Sequence, residues 1–140
     1  MTGKITLTMV KPDAMRAGNG GAVINEIIKG GFKIVAMKYL HLTRAQAEKF
    51  YEVHKERSFY PDLVAFMSSG PIIAAILEKE NAVTAYREFI GATNPANAAP
   101  GTIRALFGSN IQENAVHGSD SDENAEKEAS FFFSQLERVL

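Results

Sequence analysis

One histidine, His117, lies in a local sequence that suits a covalent carrier of a transferable group. It follows the apolar pair Ala115-Val116, which indicates a short strand, and it precedes Gly118 and several helix-capping residue types. Histidine has an ordinary pKa of about 6.5, so much of it is neutral at cellular pH and offers a nucleophilic ring nitrogen. The pattern therefore favours nucleophilic catalysis by His117, although a single histidine is more often an ordinary core or surface residue.

Three cationic and two polar side chains are candidates for binding a phosphorylated ligand. Lys11 ends a predicted strand, Arg87 lies on a predicted helix away from its apolar stripe, and Arg104 lies in a long loop. Together with Thr93 and Asn114 they would supply the forked donors, point charge, hydroxyl and amide that a polyphosphate and a ribose need. Each alone is more often a solvated charge, so the hypothesis depends on their convergence.

The common phosphate-binding loops are missing from this sequence. No glycine-rich loop ends in Gly-Lys-Ser/Thr, and Gly18-Asn19-Gly20 is followed by Val23 where a dinucleotide-binding turn needs a third small residue. A nucleotide would therefore be held by scattered side chains. The histidines at positions 41, 54 and 117 lack the spacing of metal ligands, which argues against a metal held by histidines.

Length and composition are typical of a soluble globular domain. A chain of 140 residues is near the commonest domain size, so we expect one domain over residues 1–140. The net charge of −1 provides no general attraction to nucleic acid or anionic lipid. The lack of cysteine excludes disulfides and thiolate sites, and with no signal peptide or long apolar run it favours a cytoplasmic location.

Hydrophobic periodicity predicts alternating strands and helices. Strands are expected over 4–10, 32–42, 72–77 and 115–117. Helices are expected over 22–28, 45–53, 61–67, 82–90 and 121–130, the second of them starting from a capping box of Thr43 and Gln46. Residues 91–110 lack periodicity and contain several turn signals, which indicates a long functional loop.

This order of elements predicts a ferredoxin-like α/β (α+β) sandwich. Its four-stranded antiparallel sheet would carry helices packed on one face, with a long loop before the last strand. Non-catalytic ligand-binding modules and nucleic-acid-binding proteins also use this fold, and fold alone does not decide among these functions. The near-neutral charge and the absence of a basic, aromatic-rich strand argue against nucleic acid.

Five motifs make the chain resemble nucleoside diphosphate kinases over essentially its whole length. In order they are TMVKPD at 8–13, SGP at 69–71, GATNP at 91–95, APGTIR at 99–104 and NAVHGSDS at 114–121. Several separate motifs in one order are far more specific than any of them alone. The resemblance implies Mg²⁺-dependent transfer of the γ-phosphoryl of a nucleoside triphosphate to a nucleoside diphosphate, by a ping-pong route through a phosphohistidine on His117.

The same resemblance implies a role for each nucleotide-binding residue. Lys11 would contact the ribose 3′-hydroxyl and the transferring phosphate, Asn114 the ribose, and His54 the α-phosphate. The base would stack between two apolar side chains, so purines and pyrimidines would be accepted alike, and Mg²⁺ would be bridged by phosphates without direct protein ligands. The residues assigned to nucleotide binding are Lys11, His54, Phe59, Arg87, Thr93, Arg104, Ile111 and Asn114.

A supporting carboxylate for the histidine can partly be inferred from helical spacing. Glu128 lies seven residues after Ser121, about two turns at ~3.6 residues per turn, so both project from one side of a helix. A carboxylate there would accept the N–H of the His117 ring and stabilise the charge that develops on phosphorylation. Lys11 is expected to join the catalytic groups, and the resemblance adds Ser119 and Tyr51 as nearby hydroxyls.

Several positions depart from the pattern usual in this family. Ser58 stands where proline is usual, Asp62 where glycine is frequent, Leu77 where tryptophan often sits, and Ala105-Leu106 where Gly-Asp is common. None removes a proposed catalytic group. The resemblance also implies a homo-oligomer, with dimers built into a tetramer or a hexamer, and the sequence leaves the choice between them open.

Overall fold

The computed structural model describes residues 3–139, so residues 1, 2 and 140 of the expected domain lie outside the described part. One antiparallel sheet runs in the order β2-β3-β1-β4, which confirms the ferredoxin-like class. Across the β1–β4 pair, His117 lies opposite Met9. The strands are β1 (Ile5–Val10), β2 (Lys33–Leu40), β3 (Ile72–Glu78) and β4 (Val116–Gly118).

Seven α-helices occur within residues 3–139. The sequence did not predict the first of them, which begins at Pro12 because the fixed φ of proline suits the first helical position. None of these helices is long and apolar enough to cross a membrane. They are α1 (Pro12–Arg16), α2 (Gly20–Lys29), α3 (Arg44–Phe50), α4 (Tyr60–Met67), α5 (Ala82–Ile90), α6 (Ile103–Phe107) and α7 (Asp122–Phe132).

Helices cover both faces of the sheet, so the expectation of helices on one face is wrong. Leu7 and Met9 face a core shared with α3, α4 and α7. Val10, on the opposite face of β1, joins a second core formed with α2, α5 and α6. The reason lies in β3, whose continuous apolar run is buried on both sides, whereas a strand with one wet face alternates apolar and polar residues.

The segment 91–110 contains regular structure that its lack of periodicity concealed. A 3₁₀ helix spans Pro95–Asn97, and α6 is a five-residue helix, too short to show a repeat. Thr102 caps α6, its Oγ1 accepting the Ala105 N–H at 3.3 Å. Arg104 therefore projects from a capped helix rather than from an irregular loop.

The start of α3 is confirmed. Thr43 Oγ1 accepts the Gln46 N–H at 3.1 Å, and the Gln46 side chain accepts the Thr43 N–H at 2.8 Å. The helix ends at Phe50, earlier than expected, and a 3₁₀ helix over Glu52–His54 follows. This change of helix type directs Tyr51 and His54 towards one cleft.

Candidate active site

A cleft of about 620 Å³ gathers side chains from β1's end, α3, α5, α6, β4 and α7. Of the residues expected at the site, all but Ser119 and Phe59 line it. Lys11 and Arg104 are buried at its base, whereas Arg87 and Ile111 are exposed. The expected residues that line the cleft are Lys11, Tyr51, His54, Arg87, Thr93, Arg104, Ile111, Asn114, His117 and Glu128.

His117 presents one ring nitrogen to the cleft because its other nitrogen is bound. Nε2 lies 2.7 Å from Glu128 Oε1, and the histidine side chain is 19% exposed. A carboxylate can only accept, so Nε2 carries the hydrogen and Nδ1 carries a lone pair. The rigid backbone of β4 and this bond together orient a nucleophilic nitrogen.

Ser119 supports the same carboxylate from behind. Its Oγ accepts the Leu7 N–H at 3.1 Å, so the hydroxyl hydrogen is free to donate to Glu128 Oε1 at 2.8 Å. Ser119 is completely buried and does not line the cleft. The hydroxyl therefore orients Glu128 and does not reach a ligand in this geometry.

Tyr51 brings a second hydroxyl close to Glu128. Its side chain is buried, lines the cleft and has a hydroxyl without a hydrogen-bond partner in the described structure. Burial, and then the negative charge of Glu128, raise the pKa of Tyr51, so the hydroxyl keeps its proton. An unpartnered hydroxyl is unusual in a buried position, and here it lies beside the carboxylate that binds His117.

Lys11 and Asn114 form a bonded pair at the base of the cleft. Lys11 Nζ donates to Asn114 Oδ1 at 2.9 Å, and Asn114 Nδ2 donates to the Thr93 carbonyl at 2.9 Å. Burial, and then repulsion by Arg104, lower the pKa of Lys11 to about 8, although Asp13 raises it in part. The ammonium is thus held where an added negative charge would stabilise it.

Arg104 is the second buried cation. Nη1 donates to the Gly91 carbonyl at 3.1 Å and Nη2 to the Val116 carbonyl at 2.9 Å, while Nε has no partner. Burial lowers the pKa of Arg104 to about 10, with Tyr86 raising it and Arg87 lowering it further. Cations that repel one another around a cleft indicate a site for an anion.

Of the two residues expected to hold a base, one lines the cleft and the other lies beside it. Ile111 is 61% exposed and lines it. Phe59, at the N-cap of α4, does not line the cleft, and its ring lies 5.5 Å from the ring of His54, which does. The structure thus brings Phe59 next to the site without including it in the lining.

Sequence reasoning missed one face of α7. Asn124, Lys127 and Phe131 line the cleft with Glu128, and steps of three or four residues connect all four along one helical face. Helical periodicity counted from Glu128 would have found them. The other lining residues that were missed are Lys49, Phe50, Glu52, Val53, Gly118 and Asp120.

Phe50 forms an aromatic wall beside the nucleophile. Its ring lies 5.8 Å from the His117 ring and edge-on to it, and 5.2 Å from the ring of Phe131. This wall supplies apolar surface to a cleft that is also lined by cations.

The cleft does not have the donor set of a metal centre. Within residues 3–139, no group of three or more His, Asp or Glu side chains is arranged to hold a metal ion. His41 lies elsewhere, with Nε2 2.8 Å from the Ser68 carbonyl oxygen. A nucleophilic imidazole backed by a carboxylate and faced by cations is suited to the transfer of an anionic group.

Comparison with known proteins agrees with this chemistry. Residues 4–138 match the family model described as nucleoside diphosphate kinase. A nucleoside diphosphate kinase of Flavobacterium psychrophilum is 60% identical over 133 residues, which is 95% of this chain and 96% of that protein. One of Geotalea uraniireducens is 57% identical over 134 residues, 96% of this chain and 98% of that protein.

Solved structures show the same similarity. The nucleoside diphosphate kinase of Aquifex aeolicus superposes with a TM-score of 0.95 at 48% identity, covering 97% of this chain and 99% of that one. A halophilic nucleoside diphosphate kinase from Halobacterium salinarum, solved in complex with CDP, gives a TM-score of 0.92 at 34% identity. That match covers 99% of this chain and 92% of the other.

Proposed function

The chain belongs to the nucleoside diphosphate kinase family, and from this premise we propose that it transfers the γ-phosphoryl of a nucleoside triphosphate to a nucleoside diphosphate through a phosphohistidine on His117. That it is an enzyme of this class follows from its similarity to named relatives along nearly the whole chain. A non-catalytic binding module is thereby set aside. The proposal concerns the route of transfer and the residues that carry it.

The bond between His117 Nε2 and Glu128 Oε1 carries the proposal. With the hydrogen on Nε2, the Nδ1 lone pair attacks the γ-phosphorus, an N–P bond forms, and the bond to the bridging oxygen breaks. The nucleoside diphosphate leaves with that electron pair. Glu128 stabilises the positive charge on the ring, and the reverse steps phosphorylate a second nucleoside diphosphate at the same site.

The surrounding cations are proposed to neutralise the transferring group. Phosphoryl transfer passes through a loose transition state, so fixed charges and donors supply most of the catalysis. Arg87, Thr93 and Arg104 would bind the β- and γ-phosphates. Lys11 would contact the 3′-hydroxyl and the transferring phosphate, and the amide of Asn114, already bonded to Lys11, would reach the ribose.

We also propose that Mg²⁺ accompanies the nucleotide. The basic groups of the cleft suit phosphate oxygens, and residues 3–139 provide no cluster of three acidic or histidine ligands. The phosphates would therefore hold the ion, which when bound neutralises part of their charge. Lys11 and Arg104 would neutralise the remaining phosphate charge.

Base recognition is proposed to rest on stacking. The exposed side chains of Phe59 and Ile111 present apolar surface, and His54, whose ring lies 5.5 Å from that of Phe59, would contact the α-phosphate. Stacking does not distinguish the hydrogen-bonding edges of bases, so broad specificity would follow. Ser58 and Asp62, which depart from the family pattern, flank this region and would alter affinity rather than chemistry.

Three broader expectations belong to the same proposal. The chain would act as one domain, it would assemble from dimers into a tetramer or hexamer, and it would reside in the cytoplasm. The exposed apolar side chains of Met37 and Tyr39 on the edge strand β2 support self-association.

The proposal is tested by following a labelled phosphate. Incubation with γ-labelled ATP should label the protein through an acid-labile, base-stable bond, and an added nucleoside diphosphate should remove the label. His117→Gln should abolish labelling, whereas His41→Gln, a matched change outside the cleft, should leave it intact. Unlabelled wild-type protein, or equal labelling of His117→Gln, would refute the route through His117.

A further inference from the structure

Ala115, two residues before His117, has a backbone conformation that alanine rarely adopts. Its φ is +74°, and the Val116 N–H donates to the Asn114 carbonyl at 2.9 Å, which closes a three-residue turn. Among residues 3–139 the other non-glycine residue with positive φ is Asn81, a type that tolerates such angles. Ala115 is completely buried, so neighbouring groups must hold it in this strained turn.

The groups that hold the turn come from the junction of β1 and α1. Asp13 Oδ2 accepts the Ala115 N–H at 3.1 Å, and the Lys11 N–H donates to the Ala115 carbonyl at 2.8 Å. Both polar groups of the Ala115 backbone are therefore bonded across a separation of about a hundred residues. The Asp13 contact is the only one of the two made by a side chain.

The turn connects Asn114, which bonds Lys11, to strand β4, which carries His117. Asn114, before it, bonds the Lys11 ammonium, while Val116, after it, begins β4 and accepts a bond from Arg104. His117 follows directly. Rotation of the Ala115 peptide groups would move the nucleophile relative to the cations.

We propose that Asp13 is a positioning residue for phosphoryl transfer, acting through the strained turn at Ala115 to set the distance between His117 and the phosphate-binding groups. This inference rests on the function proposed above. Asp13 itself does not line the cleft, and one of its oxygens, Oδ1, is buried without a partner. A carboxylate kept in so unfavourable a setting fits a role in holding the backbone of the site.

The first test removes the hydrogen bond from Asp13 to the turn and then the backbone strain at Ala115. In Asp13→Ala the turn loses its side-chain acceptor, and single-turnover phosphorylation by ATP should slow roughly 100-fold, as expected for a displacement of about 1 Å. Ala115→Gly alone should react like wild type because glycine adopts positive φ without strain. The double variant Asp13→Ala/Ala115→Gly should recover most of the lost rate.

A matched control is available at Asp122. Its carboxylate also lies in the first turn of a helix and accepts a distant backbone N–H, that of Gly3 at 2.9 Å, and Asp122 does not line the cleft. Asp122→Ala should leave the phosphorylation rate unchanged. A loss equal to that of Asp13→Ala would show that any such bond matters only through stability, and would overturn the inference.

A second variant separates the hydrogen bond from the charge. Asp13→Asn keeps an oxygen acceptor and should hold the turn, so its rate near neutral pH should stay close to wild type. It loses the negative charge that opposes Arg104 at Lys11, so the alkaline limb of its pH–rate profile should move to lower pH. A rate near neutral pH that falls as far as that of Asp13→Ala would show that the acceptor oxygen does not hold the turn, and would overturn the inference.

The outcomes for this inference differ from those for the proposed function. If wild-type protein takes no label from ATP, the route through His117 fails and the role of Asp13 fails with it. If wild type is labelled but Asp13→Ala is phosphorylated at the wild-type rate, only the positioning role fails. Failure of Ala115→Gly to restore any activity in the double variant would also overturn it.

Discussion

At the level of single residues, the orientation of His117 depends on one carboxylate oxygen. Glu128 Oε1 accepts from both His117 Nε2 and Ser119 Oγ, and the latter is itself held by the backbone of β1. The chain of bonds runs from the sheet through a hydroxyl to the carboxylate and then to the ring. Each bond restricts the one that follows it.

Replacing Glu128 should therefore slow phosphorylation more than it weakens nucleotide binding. A hydrogen bond to a charged group contributes about 1.5–3 kcal/mol, so Glu128→Ala should reduce the rate roughly 10- to 150-fold. Rapid-quench measurement of phosphoenzyme formation at saturating ATP tests this. Glu123→Ala, an exposed change on the same helix, should have no effect, and an unaffected rate in Glu128→Ala would contradict the proposed role.

The low pKa of Lys11 predicts loss of activity in mild alkali. Below about pH 8 the buried ammonium is charged and attracts the phosphates, and as pH rises through 8 it loses its proton and that attraction. The kcat/KM of wild type should fall above about pH 8. Bound phosphates favour the charged lysine, so the limb in kcat should lie at higher pH.

A matched variant checks the assignment of this limb. In Lys11→Arg the guanidinium stays charged across the range, so the limb near pH 8 should vanish even if the absolute rate is lower. The pH–rate profiles of the two proteins, measured with one nucleotide pair, provide the comparison. A limb that persists unchanged in the arginine variant would assign it to another group.

Residue types and family motifs predicted most of the cleft, whereas contacts behind it could not be predicted. His117, Lys11 and Arg104 were found because their motifs are specific. The burial of Ser119 behind Glu128 depends on the Leu7 N–H, more than a hundred residues away, and no local pattern encodes that contact. The same holds for the bond between Asp13 and Ala115.

At the level of elements, Gly91 controls how the segment after α5 folds over the cleft. Its φ is +95°, and a Cβ there would lie 2.5 Å from Thr102 Oγ1, the atom that caps α6. The Gly91 carbonyl also accepts a bond from Arg104. The backbone angle, the cap of α6 and the position of the buried cation Arg104 are thus coupled at Gly91.

Gly91→Ala should damage both stability and activity. Strain at positive φ costs about 1–3 kcal/mol, and the contact with Thr102 adds to it, so urea unfolding should shift to lower concentration and nucleotide KM should rise. Gly101→Ala is the matched control, with φ +88° but open space around its Cβ. It should lose stability from strain alone and keep its KM, and an equal KM change in both variants would count against the coupling.

Elements with a local sequence signal were predicted, including the three-residue strand β4, whereas the five-residue helices α1 and α6 were not. The capping box of Thr43 and the alternation in β1 are examples of such local signals. The helix α6 has too few residues to show a helical period. The order of elements suggested helices on one face of the sheet, and only the continuous apolar run of β3 indicated cover on both faces. Short helices and the order of layers depend on tertiary packing.

At the level of the whole molecule, the edge of the sheet is the surface best suited to self-association. Met37 and Tyr39 on β2 are 54% and 70% exposed, and β2 ends the sheet. The Val139 N–H donates to the Val35 carbonyl on this strand at 2.7 Å. An apolar edge strand left in water is a template for pairing with another chain.

Tyr39→Lys should therefore shift the protein towards smaller species. Light scattering at several concentrations should give a lower mean mass than wild type, because a buried lysine would oppose pairing. Ile28→Lys, an equal change of an exposed apolar residue on α2, should have a smaller effect. Unchanged mass for Tyr39→Lys would place any contact between copies elsewhere.

The aromatic wall beside His117 bears on the lifetime of the proposed phosphohistidine between substrates. Phe50 packs edge-on against the His117 ring and Phe131 packs against Phe50, so apolar rings cover this side of the imidazole. If the proposed phosphohistidine forms, water would reach it from the open cleft, where the next nucleotide would bind. Futile hydrolysis of ATP should then be slow, and the phosphoryl group would be held until an acceptor arrives.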